Sequence, residues 1–242
     1  MINFAQMKRV LTFFAHPDDE ILGAGGTLSR LSEEKVDIHI VIPAAGIHAR
    51  KNILTERKRN EDLRILRRDS QRALEKLGIS PMNIHLGNFP DNEMDSRTLL
   101  SVIHYLEKII SEVQPDLIIT HHWRCTNIDH QYCHQAVVVA SRPNTIRQIP
   151  VICAEIPGST GYLKPSFWLP NLFVEITKKD LARKILAMRT YGGENRPEPH
   201  PRSGGVLKAL ARVRGSESGY FFAEAFMIQQ CFNGRRIECP NG

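Results

Sequence analysis

The chain has 242 residues, with 42% hydrophobic residues, 24% charged residues and a formal net charge of +6. This composition is typical of a folded globular protein, and no apolar run approaches the roughly 18 residues of a membrane span. The five cysteines form no CxxC pair and are odd in number, which argues against a disulfide framework and against a thiolate zinc site. The N-terminus has no signal-peptide cleavage pattern, so we expect a cytoplasmic protein without a membrane partner.

Strands alternate with helices along most of the chain. In chain order, the hydrophobic pattern predicts strands over 9–15, 36–42, 83–89, 116–120, 151–156, 172–176 and 223–232, and helices over 25–34, 55–77, 97–113, 129–141, 178–190 and 205–213. Strands that alternate with helices run parallel and are joined by crossover helices, so we expect an α/β sandwich. No repeat, low-complexity tract or clean boundary interrupts the pattern, and one domain over 1–242 is expected.

Residues 50–76 are strongly basic, with ten lysines and arginines against five acidic residues. Such a stretch can mark a nucleic-acid footprint. Here acids are interspersed and apolar residues recur at helical spacing, so a solvated face of an amphipathic helix explains the charge better. A basic rim that attracts an anionic small molecule is a third interpretation. We expect no nucleic-acid partner.

The stretch FFAHPDDEILGAGGTL, residues 13–28, places three carboxylates beside one histidine where a buried strand ends. The carboxylates repel one another, and a divalent cation would remove that cost. Histidine with carboxylate is a normal ligand set for zinc. His16 and Asp19 are three residues apart on a turn, close enough to bind one ion. The acids could instead cap the following helix and complement its dipole.

A second polar cluster, HHWRCTNIDHQYCH at residues 121–134, follows the predicted fourth strand. Ligands of open α/β sheets bind beyond the carboxyl ends of the strands, where both clusters fall. Candidates for a third metal ligand are His121, His122, His130 and His134. The last two could also be surface histidines of a helix. Three protein ligands leave one position for water, as catalytic zinc sites do, and Asp18 could take a proton from that water.

Four segments resemble those of a known family. AHPDDEILGAGGTL (15–28) resembles the N-terminal motif of the PIG-L/LmbE-like family of zinc-dependent N-acetylglucosaminyl deacetylases. THHWRCTNIDHQYCHQAV (120–137) resembles its second, metal-binding motif. RRDSQRALEKLG (67–78) and GNFPD (87–91) look like its Arg-rich helix and its GxxD loop.

The resemblance covers most of residues 9–142, whereas 143–242 corresponds to the part that varies within the family. It implies a Rossmann-like three-layer sandwich with a mostly parallel central sheet. It also implies hydrolysis of an acetamide on an amino sugar of the N-acetylglucosamine type, with release of acetate. Homo-oligomers are common in the family, and the sequence itself leaves the assembly open.

The resemblance also implies roles by motif position. The zinc ligands would be His16, Asp19 and His130, although iron or cobalt could occupy the same set. Asp18 would be the general base. Glu20 would lie in the shell behind the ligands, and Asp129 would support the histidine next to it.

One position departs from the family pattern. Many members have HPDH where this chain has NIDH, so Asn127 replaces a histidine near the reaction centre. Asparagine can donate a hydrogen bond to an oxyanion but cannot deliver a proton. The general acid therefore stays open: Asp18 could do both jobs, or His121 or His122 could contribute.

Positive groups could hold the rest of the substrate. Arg68 comes from the Arg-rich helix, although it could equally be solvated. His200 and Arg202 lie in PHPRS (199–203), which looks like a segment of a bacterial branch of the family that acts on amino sugars. Because an arginine fork suits phosphate or carboxylate, a nucleotide-linked or other anionic sugar conjugate is a plausible substrate.

Two further functions compete with the deacetylase interpretation. A hydrolase of the same fold that acts on a non-sugar amide is the closest rival. A non-catalytic protein that binds a sugar or nucleotide is the other, and it would be distinguished by a missing base or metal ligand. Both are present here.

Overall fold

The computed structural model describes residues 2, 4–45, 56–143, 148–191, 194 and 196–232. The strands are β1 (Arg9–Phe13), β2 (Asp37–Ile42), β3 (Ile84–Leu86), β4 (Leu117–His121), β5 (Val151–Ala154), β6 (Leu172–Glu175) and β7 (Ala223–Gln230). The helices are α1 (Asp19–Glu33), α2 (Glu56–Lys76), α3 (Leu99–Val113), α4 (Ile128–Ala140), α5 (Lys178–Thr190) and α6 (Gly204–Ser218). No helix within these residues combines the length and hydrophobicity needed to cross a bilayer.

The strands form one mostly parallel sheet in the order β3-β2-β1-β4-β5-β7-β6. The first five strands in that order pair in parallel, whereas β7 runs antiparallel to both of its neighbours. The predicted α/β architecture is confirmed, because the helices cover both faces. Val10 faces the core formed with α1, α2 and α5, and Leu11 faces the core formed with α3 and α4.

Helix α1 begins at Asp19, six residues before the predicted start at position 25. The glycines that suggested a turn lie inside the helix, where they allow close packing. A Cβ atom on Gly23 would lie 2.8 Å from Ile156 Cδ1, and one on Gly26 would lie 2.7 Å from Ile176 Cδ1. Tertiary contact thus overrides the low helix propensity of glycine.

Other boundaries shift by smaller amounts. Strand β1 ends at Phe13 rather than at residue 15, because the chain turns there into the acidic segment. Helix α6 begins after the N-cap Ser203 and continues five residues beyond its predicted end, to a left-handed Gly219. Helix α5 agrees with its prediction at both ends.

The order in which the chain adds strands to the sheet reverses between β1 and β4. Strands β2 and β3 lie on one side of β1, and β4 and β5 lie on the other. Strands β1 and β4 are neighbours, with Phe13 opposite Thr120, and their helices lead to opposite sides of the sheet. This is the topological switch point at which open α/β sheets bind ligands. The segments that follow the two strands are the two polar clusters, so the fold brings them together.

Candidate active site and metal centre

A cavity of about 700 Å³ lies at this switch point. Its lining includes His16, Asp18, Asp19 and His130, called the inner wall below, and Asn127, Arg196, His200 and Arg202, called the outer wall. The predicted base and the predicted metal ligands therefore line the same cavity. A cavity of this size is large enough for a small ligand.

The three predicted metal ligands converge on one carboxylate oxygen. His16 Nδ1 lies 3.3 Å and His130 Nε2 lies 3.1 Å from Asp19 Oδ2. One donor atom from each residue falls within 4.8 Å of the other two. Two imidazoles and one carboxylate form a donor set that suits zinc and leaves a coordination position open. The residues present therefore fit a divalent metal.

Without a metal, these groups form a buried ion-pair cluster. Burial alone would lower the pKa of His16, but Asp129 and Asp19 raise it to about 10. Burial also opposes the charge on His130, whose pKa the Asp19 carboxylate raises to about 9. Although burial would raise the pKa of Asp19, His130 and His16 hold it well below its ordinary value. The metal-free site thus favours an ionised Asp19 between protonated His16 and His130. A metal cation could replace the positive charge of the two rings.

The Asp129 carboxylate is fully buried and contacts His16, not its sequence neighbour His130. Its Oδ2 lies 2.9 Å from His16 Nε2, and the backbone N–H groups of Asn92 and Met94 donate to its two oxygens. Asp91 lies 3.2 Å from the same nitrogen of His16. The expected supporting role of Asp129 thus applies to a different histidine, because α4 directs consecutive side chains to different sides.

Asp18 occupies a strained backbone position at the start of α1. Its φ of 114° is in the left-handed region, which a residue with a side chain rarely adopts. Such strain persists where surrounding contacts enforce it, often at functional sites. Burial and the neighbouring Asp19 raise the pKa of Asp18 well above its usual value, and the Arg202 guanidinium opposes that rise. Nη1 of Arg202 lies 3.0 Å from Asp18 Oδ2.

Glu20 holds the turn that carries Asp18. One of its oxygens accepts the backbone N–H of Asp18 at 3.0 Å, and the other accepts the hydroxyl of Tyr191 at 3.1 Å. Burial raises the pKa of Glu20 to about 7. Glu20 thus contacts Asp18 through the backbone, and its place behind the predicted ligands stays a prediction.

The predicted substrate-binding residues divide into three cases. Arg68 is exposed, pairs with Asp69 at 3.3 Å and does not line the cavity. Arg202 lines the cavity but is engaged by Asp18 and Glu194. His200 lines the cavity, and its Nδ1 accepts the backbone N–H of Arg202 at 3.2 Å, which leaves Nε2 as its donor.

Asn127 combines a structural contact with a place in the cavity. Its Oδ1 caps α4 by accepting the N–H of Asp129 at 2.8 Å, and its Nδ2 donates to Asn92 at 2.7 Å. The cap fixes the orientation of the amide, because only the oxygen can accept that N–H. One N–H of Nδ2 remains for a ligand.

The other histidines of the second cluster lie away from the three ligands or behind them. His121 is fully buried and stacks on His130. His122 packs edge-on against Trp168, and burial lowers its pKa to about 4. His134 Nε2 lies 3.1 Å from Gln229. None of these three lines the cavity, so the structure gives neither His121 nor His122 access to a bound substrate.

Sequence reasoning missed three residues of the site. Asp91 lies in the GNFPD segment, whose resemblance to the family's loop assigns no role to this acid. Arg196 lies in a stretch whose sequence predicts only a loop, although it lines the cavity. Cys125 is one of two cysteines in the second cluster, and only the fold brings it against His121 and His130.

Known proteins share both the motifs and the fold. The profile of the PIG-L family, described as GlcNAc-PI de-N-acetylase, matches residues 11–141. The uncharacterized deacetylase YaiS of Escherichia coli is 30% identical over 188 residues, which cover 76% of this chain and 90% of YaiS. A probable N-acetyl-alpha-D-glucosaminyl L-malate deacetylase 2 of Bacillus cereus is 32% identical over 151 residues, 61% of this chain and 67% of that protein.

Among solved structures, the N,N'-diacetylchitobiose deacetylase of Pyrococcus horikoshii superposes with a TM-score of 0.74. It is 22% identical, and the superposition covers 93% of this chain and 85% of that one. At this identity the likeness concerns the fold. Since the family profile spans more than half of the sequence and includes both polar clusters, the chain belongs to the PIG-L (GlcNAc-PI de-N-acetylase) family.

Proposed function

We propose that the chain is a metal-dependent hydrolase that removes the N-acetyl group from an amino-sugar conjugate and releases acetate. The observation that carries this proposal is the convergence of His16, Asp19 and His130 within 4.8 Å beside the strained, buried Asp18. Relatives named as deacetylases of amino-sugar conjugates support the reaction and the substrate class. The same proposal includes a cytoplasmic location. It also includes a small sugar as the binding partner, and neither a nucleic acid nor a membrane.

Zinc is the proposed metal, with His16, Asp19 and His130 as its ligands. A zinc ion held there would polarise an acetamide carbonyl and lower the pKa of a bound water toward neutrality. The mixed imidazole and carboxylate set supports zinc over calcium or magnesium, which prefer oxygen ligands. Iron and cobalt accept the same donors.

The residues around the ligands would perform the proton transfers. Asp18, when ionised, accepts the proton of the attacking water and passes it to the leaving amine. Arg202 and Glu20 fix the position of Asp18. The free N–H of Asn127 Nδ2 donates to the oxygen that becomes negative in the transition state. Nε2 of His200 donates to the substrate from the outer wall.

The outer wall also supports an anionic substituent on the sugar. Every carboxylate that lines the cavity has a cationic partner, namely Arg202 for Asp18 and Glu194, His16 for Asp19 and Asp91, and Arg68 for Asp69. Arg196 is the cation of the wall that has no such partner among the residues described. A guanidinium in this position can bind a carboxylate or phosphate of the substrate.

Metal content and acetate release test the proposal together. Purified protein would be assayed with N-acetylglucosamine, its α-linked malate conjugate and UDP- and CMP-linked N-acetyl sugars, beside Asp18→Asn. We expect about one metal per chain, and acetate release that Asp18→Asn reduces at least 100-fold while the metal is retained. Metal without acetate release from any of these would favour the non-sugar amide hydrolase. Absence of both would favour the sugar- or nucleotide-binding protein.

A further inference from the structure

His121 and His130 lie side by side, and each has a buried nitrogen that lacks a partner. Their rings stack with centroids 3.7 Å apart and planes 12° from parallel. Nδ1 of each ring is buried without a hydrogen-bond partner among the residues described. Buried polar atoms usually find a partner, because leaving one unpaired is costly. The Nδ1 atoms of His121 and His130 therefore need a hydrogen-bond partner.

Both Nδ1 atoms are donors. His121 Nε2 accepts the backbone N–H of Ala15 at 2.8 Å, so the proton of the neutral ring is on Nδ1. Burial keeps this ring neutral by lowering its pKa. His130 directs Nε2 at Asp19, on the side of the proposed metal, so its Nδ1 carries the proton when Nε2 binds a cation.

The sulfur of Cys125 lies close to both rings. It is fully buried and lies within 4.8 Å of a ring nitrogen of each histidine. On its other side it lies 3.1 Å from the hydroxyl of Thr160. That hydroxyl oxygen already accepts the N–H of Ile156 at 2.9 Å, so its proton is free to point at the sulfur. The sulfur thus lies among donors.

A second metal ion between Cys125 and the two histidines does not fit this geometry. Nearly parallel stacked rings direct their in-plane lone pairs side by side and not at one point. The cluster is therefore a hydrogen-bonding group and not a binding site.

We propose that Cys125 is a positioning residue whose sulfur accepts the Nδ1–H of His130 and so presents Nε2 to the metal. The inference rests on the metal role proposed above for His130. Ligand histidines usually donate their second N–H to a carboxylate or carbonyl, which fixes the ring and strengthens the ligand. His16 has such partners in Asp129 and Asp91. His130 has the sulfur in that place.

The test is metal affinity, measured on metal-free protein by competition for Zn²⁺ with a chromophoric chelator. We expect Cys125→Ala to weaken zinc binding about 10- to 100-fold. Cys125→Asp restores an acceptor and should stay within about 3-fold of wild type. Cys153→Ala is the matched control, because Cys153 is another fully buried thiol and belongs to none of the metal-binding clusters found among the described residues, so the zinc affinity of this variant should not change.

Zinc affinity that is unchanged in Cys125→Ala, or lost equally in Cys125→Asp, would overturn the inference while leaving the proposed reaction intact. Wild-type protein that binds no zinc would overturn both. If Cys125→Ala does not fold, ¹H–¹⁵N spectra of the zinc-loaded wild type decide. A proton on His130 Nδ1 that shifts in Cys125→Ser supports the role of the sulfur, and an insensitive signal contradicts it.

Discussion

Arg202 contacts the Asp18 carboxylate at 3.0 Å from a segment near the other end of the chain. Asp18 is 2% exposed, so a charge there is costly unless a cation lies near it. Burial and Asp19 raise the pKa of Asp18, and Arg202 is the group that acts against them. The sequence pattern predicts that Arg202 binds an anionic group of the substrate. In the structure this arginine forms an ion pair with Asp18, the proposed base.

Arg202→Gln should therefore impair catalysis more than substrate binding. Without the guanidinium, the pKa of Asp18 rises further, so a smaller fraction of the base is ionised at neutral pH. We expect kcat to fall about 10- to 100-fold at pH 7, less than the roughly 100- to 10,000-fold that a general base contributes in full, with little change in KM. Activity should return as pH increases. The pH dependence of kcat measures this.

Two further variants serve as controls for Arg202→Gln. Arg202→Lys keeps the charge and should recover part of kcat. Arg68→Gln removes an exposed arginine that does not line the cavity, and it should leave both constants unchanged. A rise in KM at constant kcat in Arg202→Gln would mean that this residue binds substrate instead.

Metal uptake should depend steeply on pH. The pKa values of about 10 for His16 and about 9 for His130 mean that both rings are protonated at pH 7 in the metal-free protein. A metal must displace both protons, so the apparent affinity should rise with pH up to about 10, with about two protons released per ion at neutral pH. Calorimetry in buffers of different ionisation enthalpy counts these protons.

Asp129→Asn provides a check on the cause of that pH dependence. Asp129 raises the pKa of His16, so its removal should reduce the number of protons released at pH 8. It should also weaken metal binding, because the ring loses its carboxylate partner. A proton count near zero in the wild type would contradict the ligand assignment of both histidines.

The element order was predictable because strands that are buried on both faces appear as short apolar runs. Leu117–His121 and Val151–Ala154 are fully buried, and the apolar pattern predicts a strand at both places. The start of α1 was not predictable, since Gly23 and Gly26 are poor helix formers and their close packing depends on distant side chains. The tertiary contacts that outweigh the low helix propensity of these glycines cannot be read from the local sequence.

The predicted ligands meet because both clusters follow neighbouring strands, which topology alone suggests. Side-chain partners are a different matter. Asp129 adjoins His130 in sequence but contacts His16, since side-chain direction on a helix depends on rotation about its axis. The pairing of Arg202 with Asp18 joins segments from opposite ends of the chain, and no local pattern records it.

Arg196→Gln should discriminate between anionic and neutral substrates. Loss of a charge-assisted hydrogen bond of about 1.5–3 kcal/mol should raise KM about 10- to 100-fold for the malate conjugate of N-acetylglucosamine. KM for the uncharged methyl glycoside should stay within about 2-fold. Arg97→Gln removes an equal charge outside the cavity and serves as control. Equal effects on both substrates would contradict an anion contact.

The buried ion pair between Lys184 and Glu224 gives a prediction about the stability of the fold. Lys184 Nζ donates to Glu224 at 2.5 Å and to the carbonyl of Leu22 at 2.8 Å. Glu224 in turn accepts the N–H groups of Gly26 and Thr27 in the middle of α1. Together the two side chains satisfy backbone groups of α1, the helix that begins at Asp19.

Lys184→Met should lower the free energy of unfolding by about 3–5 kcal/mol, because it leaves the Glu224 carboxylate buried without its cation. The double variant Lys184→Met/Glu224→Gln removes that charge as well and should be less destabilised than the single one. Urea unfolding at pH 7 measures both. Glu34→Gln breaks the exposed pair with Arg30 at 2.9 Å and should cost only about 0.5 kcal/mol or less. Equal losses in Lys184→Met and Glu34→Gln would show that the buried pair contributes no more than a surface one.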